Sequence, residues 1–197
     1  MNLVGPQAAQ FLQDYLDAQD IQASSNSTAT SMQSWCPPSS NSFKANFDSA
    51  VFNSFNSVSV GIIIRNRNRE VIAAMSERIP LPTTVLEVEE MACKRVVTFT
   101  FEVGIQDVTF EGDSLTVIQA LNHGGACEAP YGNLIENITV YASSFSSVEF
   151  KHVKRTCNKI ADALAKKAKY GDVLQAWLED LPPDIAPWLF LIFTKTL

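Results

Sequence analysis

Between Phe43 and Ser76 the residues alternate in character with a period of two, and this limits the possible folds more than any other feature of the chain. From Phe43 to Val51, Phe43, Ala45, Phe47 and Val51 lie on one face and Lys44, Asn46 and Asp48 on the other, the pattern of a half-buried strand. Val58 to Arg65 and Glu70 to Ser76 read as two further strands joined through the polar turn Asn66-Arg67-Asn68-Arg69, so the three form an antiparallel meander. The period then changes. After Pro80 and Pro82, Thr84-x-x-Glu87 has the form of a capping box,. Apolar residues follow at helical spacing through Val85, Val88, Ala92, Val96, Phe99 and Val103 until Gly104,.

Downstream, Ile105 to Glu111 reads as a strand, Asp113 to Asn122 as a helix, Gly124-Gly125 as a break, Tyr131 to Ala142 as a helix and Ser147 to Val153 as a strand,. Asn158 to Tyr170 is a helix with a stripe of Ile160, Ala161, Leu164, Ala165 and Ala168. Lys166, Lys167 and Lys169 suit its C-terminal dipole and Gly171 its C′ position,. This order predicts an α/β fold: a mixed five-stranded sheet, three antiparallel strands then parallel ones, with helices on its faces. The folded domain is expected over 35–170. Residues 1–34 hold a short amphipathic helix, Gln7 to Ala18, and a linker drawn from Ile21 to Phe43, a stretch without a single charge,. Residues 171–197 read as a tail. Trp35-Cys36-Pro37-Pro38 is an extended lead-in to the domain,.

The formal net charge is −6, which would count against a polyanionic partner if it were evenly spread. It is not. The 14 Lys and Arg between residues 35 and 170 match 14 Asp and Glu, and the acidity lies in the two ends. Residues 151–170 carry seven Lys or Arg against the single carboxylate of Asp162. Such a basic stretch beside carboxylates suits an enzyme that meets a polyanion through bound cations. No apolar run reaches the ~18 residues of a membrane span, and Met1-Asn2-Leu3-Val4-Gly5-Pro6 is unlike a secretory leader,. The expectation is an intracellular monomer, nuclear or cytoplasmic and not secreted. Cys36, Cys93, Cys127 and Cys157 stand singly, as reduced small hydrophobes,. Asn26-Ser27-Thr28 and Asn137-Ile138-Thr139 match the glycosylation pattern by chance,.

Four acids call for individual reading. Glu89 follows Val85 by four and precedes Ala92 by three, so it lies in or beside a buried stripe, where a carboxylate is paired, metal-bound or protonated. The alternative is a flank position reaching water beside Glu87 and Glu90. Asp113 stands where a strand gives way to a helix, a place where α/β folds gather ligands and also an ordinary N-cap. Asp48 is on the polar face of the first strand. Asp162 is four residues before Lys166 and could simply pair with it,.

Together these acids are part of a larger pattern: Trp35-Cys36-Pro37-Pro38; Phe43-Lys44-Ala45-Asn46-Phe47-Asp48-Ser49-Ala50; Val88-Glu89-Glu90-Met91-Ala92; Phe110-Glu111-Gly112-Asp113-Ser114; and His152-Val153-Lys154-Arg155-x-x-Asn158-x-x-Ala161-Asp162-x-Leu164-Ala165. In these motifs and their order the chain resembles type 1 ribonuclease H domains, and within them the plant reverse-transcriptase-like, retroelement-derived subgroup, over about residues 35–190. The resemblance implies a ribonuclease H-like fold and a metal-dependent endonuclease that cuts the RNA strand of RNA–DNA hybrids. It implies that Asp48, Glu89, Asp113 and Asp162 are metal-holding catalytic carboxylates, that His152 is the mobile histidine, and that Ser49, Asn158, Lys154 and Arg155 meet the substrate.

Hydrolysis of a phosphodiester by two Mg²⁺ ions, with Mn²⁺ as a substitute, suits an all-oxygen donor set. Without cations, two carboxylates about 4 Å apart repel by about 4 kcal/mol at an effective dielectric near 20, so four together make little sense as scaffold. Three positions depart from the family pattern: Ser49 and Arg69 stand where glycine is usual, and Val88 replaces an alanine. These departures motivate a second reading, a domesticated nucleic-acid-binding module with little or no turnover. An integrase or transposase of the same superfold is disfavoured, because those resemble a set whose last acid is Glu and which lacks a Glu on the first helix.

Overall fold

The computed structural model describes residues 34–39, 41–82, 84–123 and 132–189. The helix expected over 7–18, most of the uncharged linker, the Gly124-Gly125 break and Cys127 lie outside these residues.

The expected meander forms as β1 (Phe43–Phe52), β2 (Ser57–Arg65) and β3 (Val71–Pro80), with β1–β2 and β2–β3 both antiparallel. The β2–β3 turn is built by Asn66, whose side-chain oxygen accepts from the amides of Asn68 and Glu70 at 2.9 and 3.0 Å,. Arg69 there takes φ +67°, the left-handed backbone for which glycine is the usual residue. Helix α1 (Val85–Glu102) opens with the capping box complete, Thr84 and Glu87 each accepting the other's amide,. Next come β4 (Asp107–Gly112), α2 (Leu115–His123), α3 (Gly132–Ala142), β5 (Ser147–His152) and α4 (Lys159–Lys167).

The sheet has six strands rather than the expected five, in the order β5-β4-β1-β2-β3-β6. β4 is parallel to both β1 and β5. The sixth strand is β6 (Leu174–Leu178), from the segment read as a tail, and it pairs antiparallel with β3. Its backbone satisfies the outer edge of β3, which would otherwise present a row of open hydrogen-bonding groups. Among the described residues, no helix is long and apolar enough to cross a membrane.

The two faces of the sheet are covered differently. On one, α1, α2 and α3 enclose the larger core, including Ala45, Phe47, Ile62, Met75, Val96, Phe110, Ile118 and Ile138. On the other, α4 packs with Leu181 and Ile185 over Ile63 and Ala74. α4 can approach so closely because β2 has a glycine beneath it: a Cβ on Gly61 would lie 2.1 Å from the carbonyl oxygen of Ala161 and 2.2 Å from the amide nitrogen of Ala165,. Ser76 donates its hydroxyl to the Leu164 carbonyl at 2.7 Å, Ser59 donates to the Ala165 carbonyl, and Arg78 donates to the carbonyls of Ala168 and Lys169, each at 3.2 Å. Sheet side chains thus supply partners for carbonyls that the end of a helix leaves open.

Candidate functional site

The parallel pairing of β1 and β4 sets the site. Asn46 lies opposite Glu111 at the last pair of their register. β4 ends at Gly112, so Asp113 stands just past its carboxyl end, while β1 runs on and carries Asp48 opposite Gly61. Because the backbone of Ala161 rests on Gly61, Asp162 comes to the same place from the opposite side. Glu89 arrives from the first turns of α1.

The four carboxylates face one another electrostatically. Burial raises the Asp48 carboxyl well above its ordinary range, and Asp113, Asp162 and Glu89 add to the shift,. Glu89 is raised to about 7, first by burial and then by Asp113, with Arg155 and a hydrogen bond from Ser114 opposing. Asp113 is raised chiefly by burial, against the pull of Arg155. Asp48 has one oxygen on the Ser49 amide at 2.8 Å, and the other, Oδ2, is buried without a hydrogen-bond partner. Asp162 is held by Lys166 at 2.8 Å and Arg155 at 3.7 Å.

In this geometry no three Asp, Glu, His or Cys side chains among the described residues close into a coordination shell, since Asp162 is turned to its basic partners and Glu89 to Ser114. The donor set nevertheless fits a hard divalent cation. It is all oxygen, it is mutually repulsive, and it contains a buried carboxylate oxygen with nothing to neutralise it.

The other expected site residues fall into two groups. His152, exposed at the end of β5, donates Nε2 to the Asp113 carbonyl at 3.1 Å, which places its ring beside the acids. Lys154 and Arg155 are exposed around the short 3-10 turn Arg155–Cys157, and Ser49 is half-buried next to Asp48. Asn158 is different. It is 1% exposed and donates its amide to the Phe47 carbonyl at 2.8 Å. The β1–β4 register ends at Asn46 and Glu111, so the side chain serves a β1 carbonyl just beyond the last paired residues. In this structure Asn158 braces the strand that bears Asp48, and its side-chain oxygen is buried without a hydrogen-bond partner.

A buried polar network beneath the acids is absent from the sequence reading. Arg65, 2% exposed, donates to Asn46 at 2.7 Å; Asn46 and the indole of Trp35 each donate to Glu111 Oε2 at 3.0 Å; and Lys44 meets Glu111 Oε1 at 2.6 Å. The Arg65 guanidinium lies 3.5 Å from the centre of the Trp35 ring, a stacked cation–π contact. Burial lowers the Arg65 pKa to about 9 and Glu111 opposes the shift, so the group is charged at neutral pH. Asn46 and Glu111 each precede a site carboxylate by two residues, so the network joins β1 to β4 directly below Asp48 and Asp113. The signal available in sequence was Trp35 itself, a large ring in an otherwise polar lead-in.

A family model described as reverse transcriptase-like matches residues 46–168. None of the curated proteins matches the chain. Among solved structures, ribonuclease H1 from the halophilic archaeon Halobacterium salinarum is 24% identical with a TM-score of 0.57, over 64% of this chain and 96% of that one. The N-terminal ribonuclease H domain of a Mycobacterium tuberculosis protein is 20% identical with a TM-score of 0.56, over 66% of this chain and 94% of that one. LC11-RNase H1 in complex with an RNA/DNA hybrid is 16% identical with a TM-score of 0.50, over 64% and 94%. These likenesses extend to the fold.

Proposed function

The chain belongs to the reverse transcriptase-like family and carries a ribonuclease H-like domain, and from that premise we propose that it is a metal-dependent endonuclease acting on the RNA strand of RNA–DNA hybrids. The observation that carries this reading is the meeting of Asp48, Glu89, Asp113 and Asp162, from β1, α1, the end of β4 and α4, around a buried and unpartnered carboxylate oxygen. The hybrid held by LC11-RNase H1 supports the same substrate class.

In this reading the four carboxylates hold Mg²⁺, which when bound supplies an activated water and stabilises charge on the attacking and leaving oxygens. Lys154 and Arg155, on the exposed turn after β5, meet backbone phosphates. His152, fixed by its bond to the Asp113 carbonyl, moves a proton at the leaving oxygen or helps the product depart. The Ser49 amide is spent on Asp48, so its hydroxyl is the group left to meet the 2′-hydroxyls of the RNA strand.

The test is a labelled hybrid and a labelled DNA duplex incubated with the purified chain in Mg²⁺ and in chelator. The RNA strand of the hybrid is cut in Mg²⁺ alone and the DNA duplex stays intact. Equal cutting of both, or none at any protein concentration, defeats the reading. Tight hybrid binding without cutting would instead favour the binding-module reading, which the Lys166 and Arg155 contacts to Asp162 support.

A further inference from the structure

At the far end of α4 two aromatic rings stand in solvent. Tyr170 is 82% exposed, and Phe55, in the hairpin between β1 and β2, is 50% exposed. Their centroids are 6.2 Å apart, edge to face, and the Lys169 ammonium lies 5.1 Å from the Tyr170 ring and 5.9 Å from that of Phe52. Core packing does not account for rings left this open. The backbone beneath them is held firmly, since Arg78 donates to the carbonyls of Ala168 and Lys169.

The position of the rings relative to the acids is informative. α4 and β1 run side by side, with Ala161 against Gly61, the partner of Asp48, and Ala165 bonded to Ser59. Following α4 from Asp162 to its end at Lys167 covers about 8 Å at ~1.5 Å per residue, and the turn 168–170 then carries Tyr170,. Following β1, Phe52 is four residues past Asp48, about 13 Å at ~3.3 Å per residue. Both routes lead the same way. Lys166, 58% exposed, lies one turn beyond Asp162, so the order along this face is carboxylate, ammonium, ammonium, ring.

We propose that Phe55 and Tyr170 form a stacking platform for unpaired bases of a nucleic-acid strand running on from the cleavage site, with Lys166 and Lys169 along its phosphates. The preferred substrate is then a hybrid that continues into single strand. The proposal rests on the nuclease reading above and goes beyond it by naming the substrate's form. Bases within a duplex already stack on one another, whereas an unpaired base offers its face to a protein ring, and every base has such a face. Lysine ammonium groups meet phosphates whatever the sequence. A gap of about 13 Å, as measured along β1, corresponds to roughly four nucleotides at ~3.4 Å along one strand.

The test uses the full chain carrying Asp48→Asn, so that substrate survives, and fluorescence anisotropy in Mg²⁺. The probes are a blunt hybrid and hybrids with a single-stranded extension of about six nucleotides at either end. One extension raises affinity about ten-fold over the blunt hybrid. Adding Phe55→Ala and Tyr170→Ala together removes that gain while affinity for the blunt hybrid is unchanged. Lys169→Ala lowers the salt slope of extended-hybrid binding by about one. Leu178→Ala, which alters another exposed apolar residue, 69% exposed, changes nothing. In the unmutated site, Phe55→Ala and Tyr170→Ala leave blunt-hybrid cleavage intact. The platform is overturned if neither extension binds better than the blunt hybrid, or if the gain survives loss of both rings. Failure to bind or cut even the blunt hybrid would overturn the nuclease reading, and this one with it.

Discussion

Replacing Gly61 with alanine tests the packing that positions Asp162. The new methyl would lie 2.1 Å from the Ala161 carbonyl oxygen and 2.2 Å from the Ala165 amide nitrogen, both backbone atoms of α4, so no side chain can rotate away to make room. Restoring ordinary contact requires α4 to retreat by roughly 1 Å, because interiors are close-packed. Overpacking of this kind costs about 1–3 kcal/mol. The same retreat weakens the bonds from Ser59 and Ser76 to the carbonyls of Ala165 and Leu164, each contributing about 1 kcal/mol. The total is about 3–5 kcal/mol, or a fall in Tm of about 10 °C for a domain of this size. Gly104→Ala is the matched control: Gly104 has φ +84° with nothing within 4 Å of the added Cβ, so only the conformational cost of about 1 kcal/mol applies. Thermal and urea unfolding followed by circular dichroism compare the two. Cleavage falls as well, by about 10²-fold, since Asp162 moves with its helix. A Gly61→Ala protein no less stable than Gly104→Ala would refute this account of the seating of α4.

Two further outcomes follow from the site itself. Glu89 has its pKa raised from 4.5 to about 7; a raised carboxylate penalises the fold only when ionised, so metal-free stability is lost as pH climbs through that window, by about 3 kcal/mol in all. Urea midpoints in chelator at pH 5 and pH 8 should show Glu89→Gln more stable than wild type at the higher pH only, and equal differences at both would show that the shift is absent. His152→Ala should lower turnover by about 10²-fold with the Mg²⁺ dependence and Tm unmoved, because the ring is exposed and its hydrogen bond is to the Asp113 carbonyl; unchanged turnover removes His152 from the chemistry, and a shifted Mg²⁺ titration makes it a metal ligand.

Local chemistry made much of this fold legible. The alternation of Phe43, Ala45 and Phe47, the reciprocal Thr84 and Glu87 cap and the glycine after α1 are short-range signals, and the structure uses each of them. The four acids were singled out as a set by the motifs that carry them, since each read alone has an ordinary alternative such as an N-cap for Asp113 or a pair with Lys166 for Asp162,. β6 was missed for a physical reason: Leu174, Ala176 and Leu178 face solvent while Gln175 and Trp177 are half-buried, so its apolar pattern is not that of a strand on a core. The Trp35–Glu111–Asn46–Arg65 network escaped because it depends on the parallel register of β1 and β4 and on a residue packed from outside the sheet. The bond from Asn158 to the Phe47 carbonyl was likewise not legible in motif spacing. That carbonyl lies just past the last β1–β4 pair, Asn46 and Glu111, and where the pairing stops is a property of the assembled sheet.

The central claim is that four carboxylates from four separate elements make one hydrolytic centre, and Asp48 is the member with an oxygen buried and unpartnered. Cleavage of a hybrid labelled on its RNA strand, measured against Mg²⁺ concentration for wild type and Asp48→Asn alongside their melting temperatures in chelator, tests it most directly. The account predicts a saturable Mg²⁺ requirement for wild type, no cleavage by Asp48→Asn at any Mg²⁺ concentration, and a melting temperature for the variant equal to or above that of wild type. Cleavage by Asp48→Asn at the wild-type rate would contradict it.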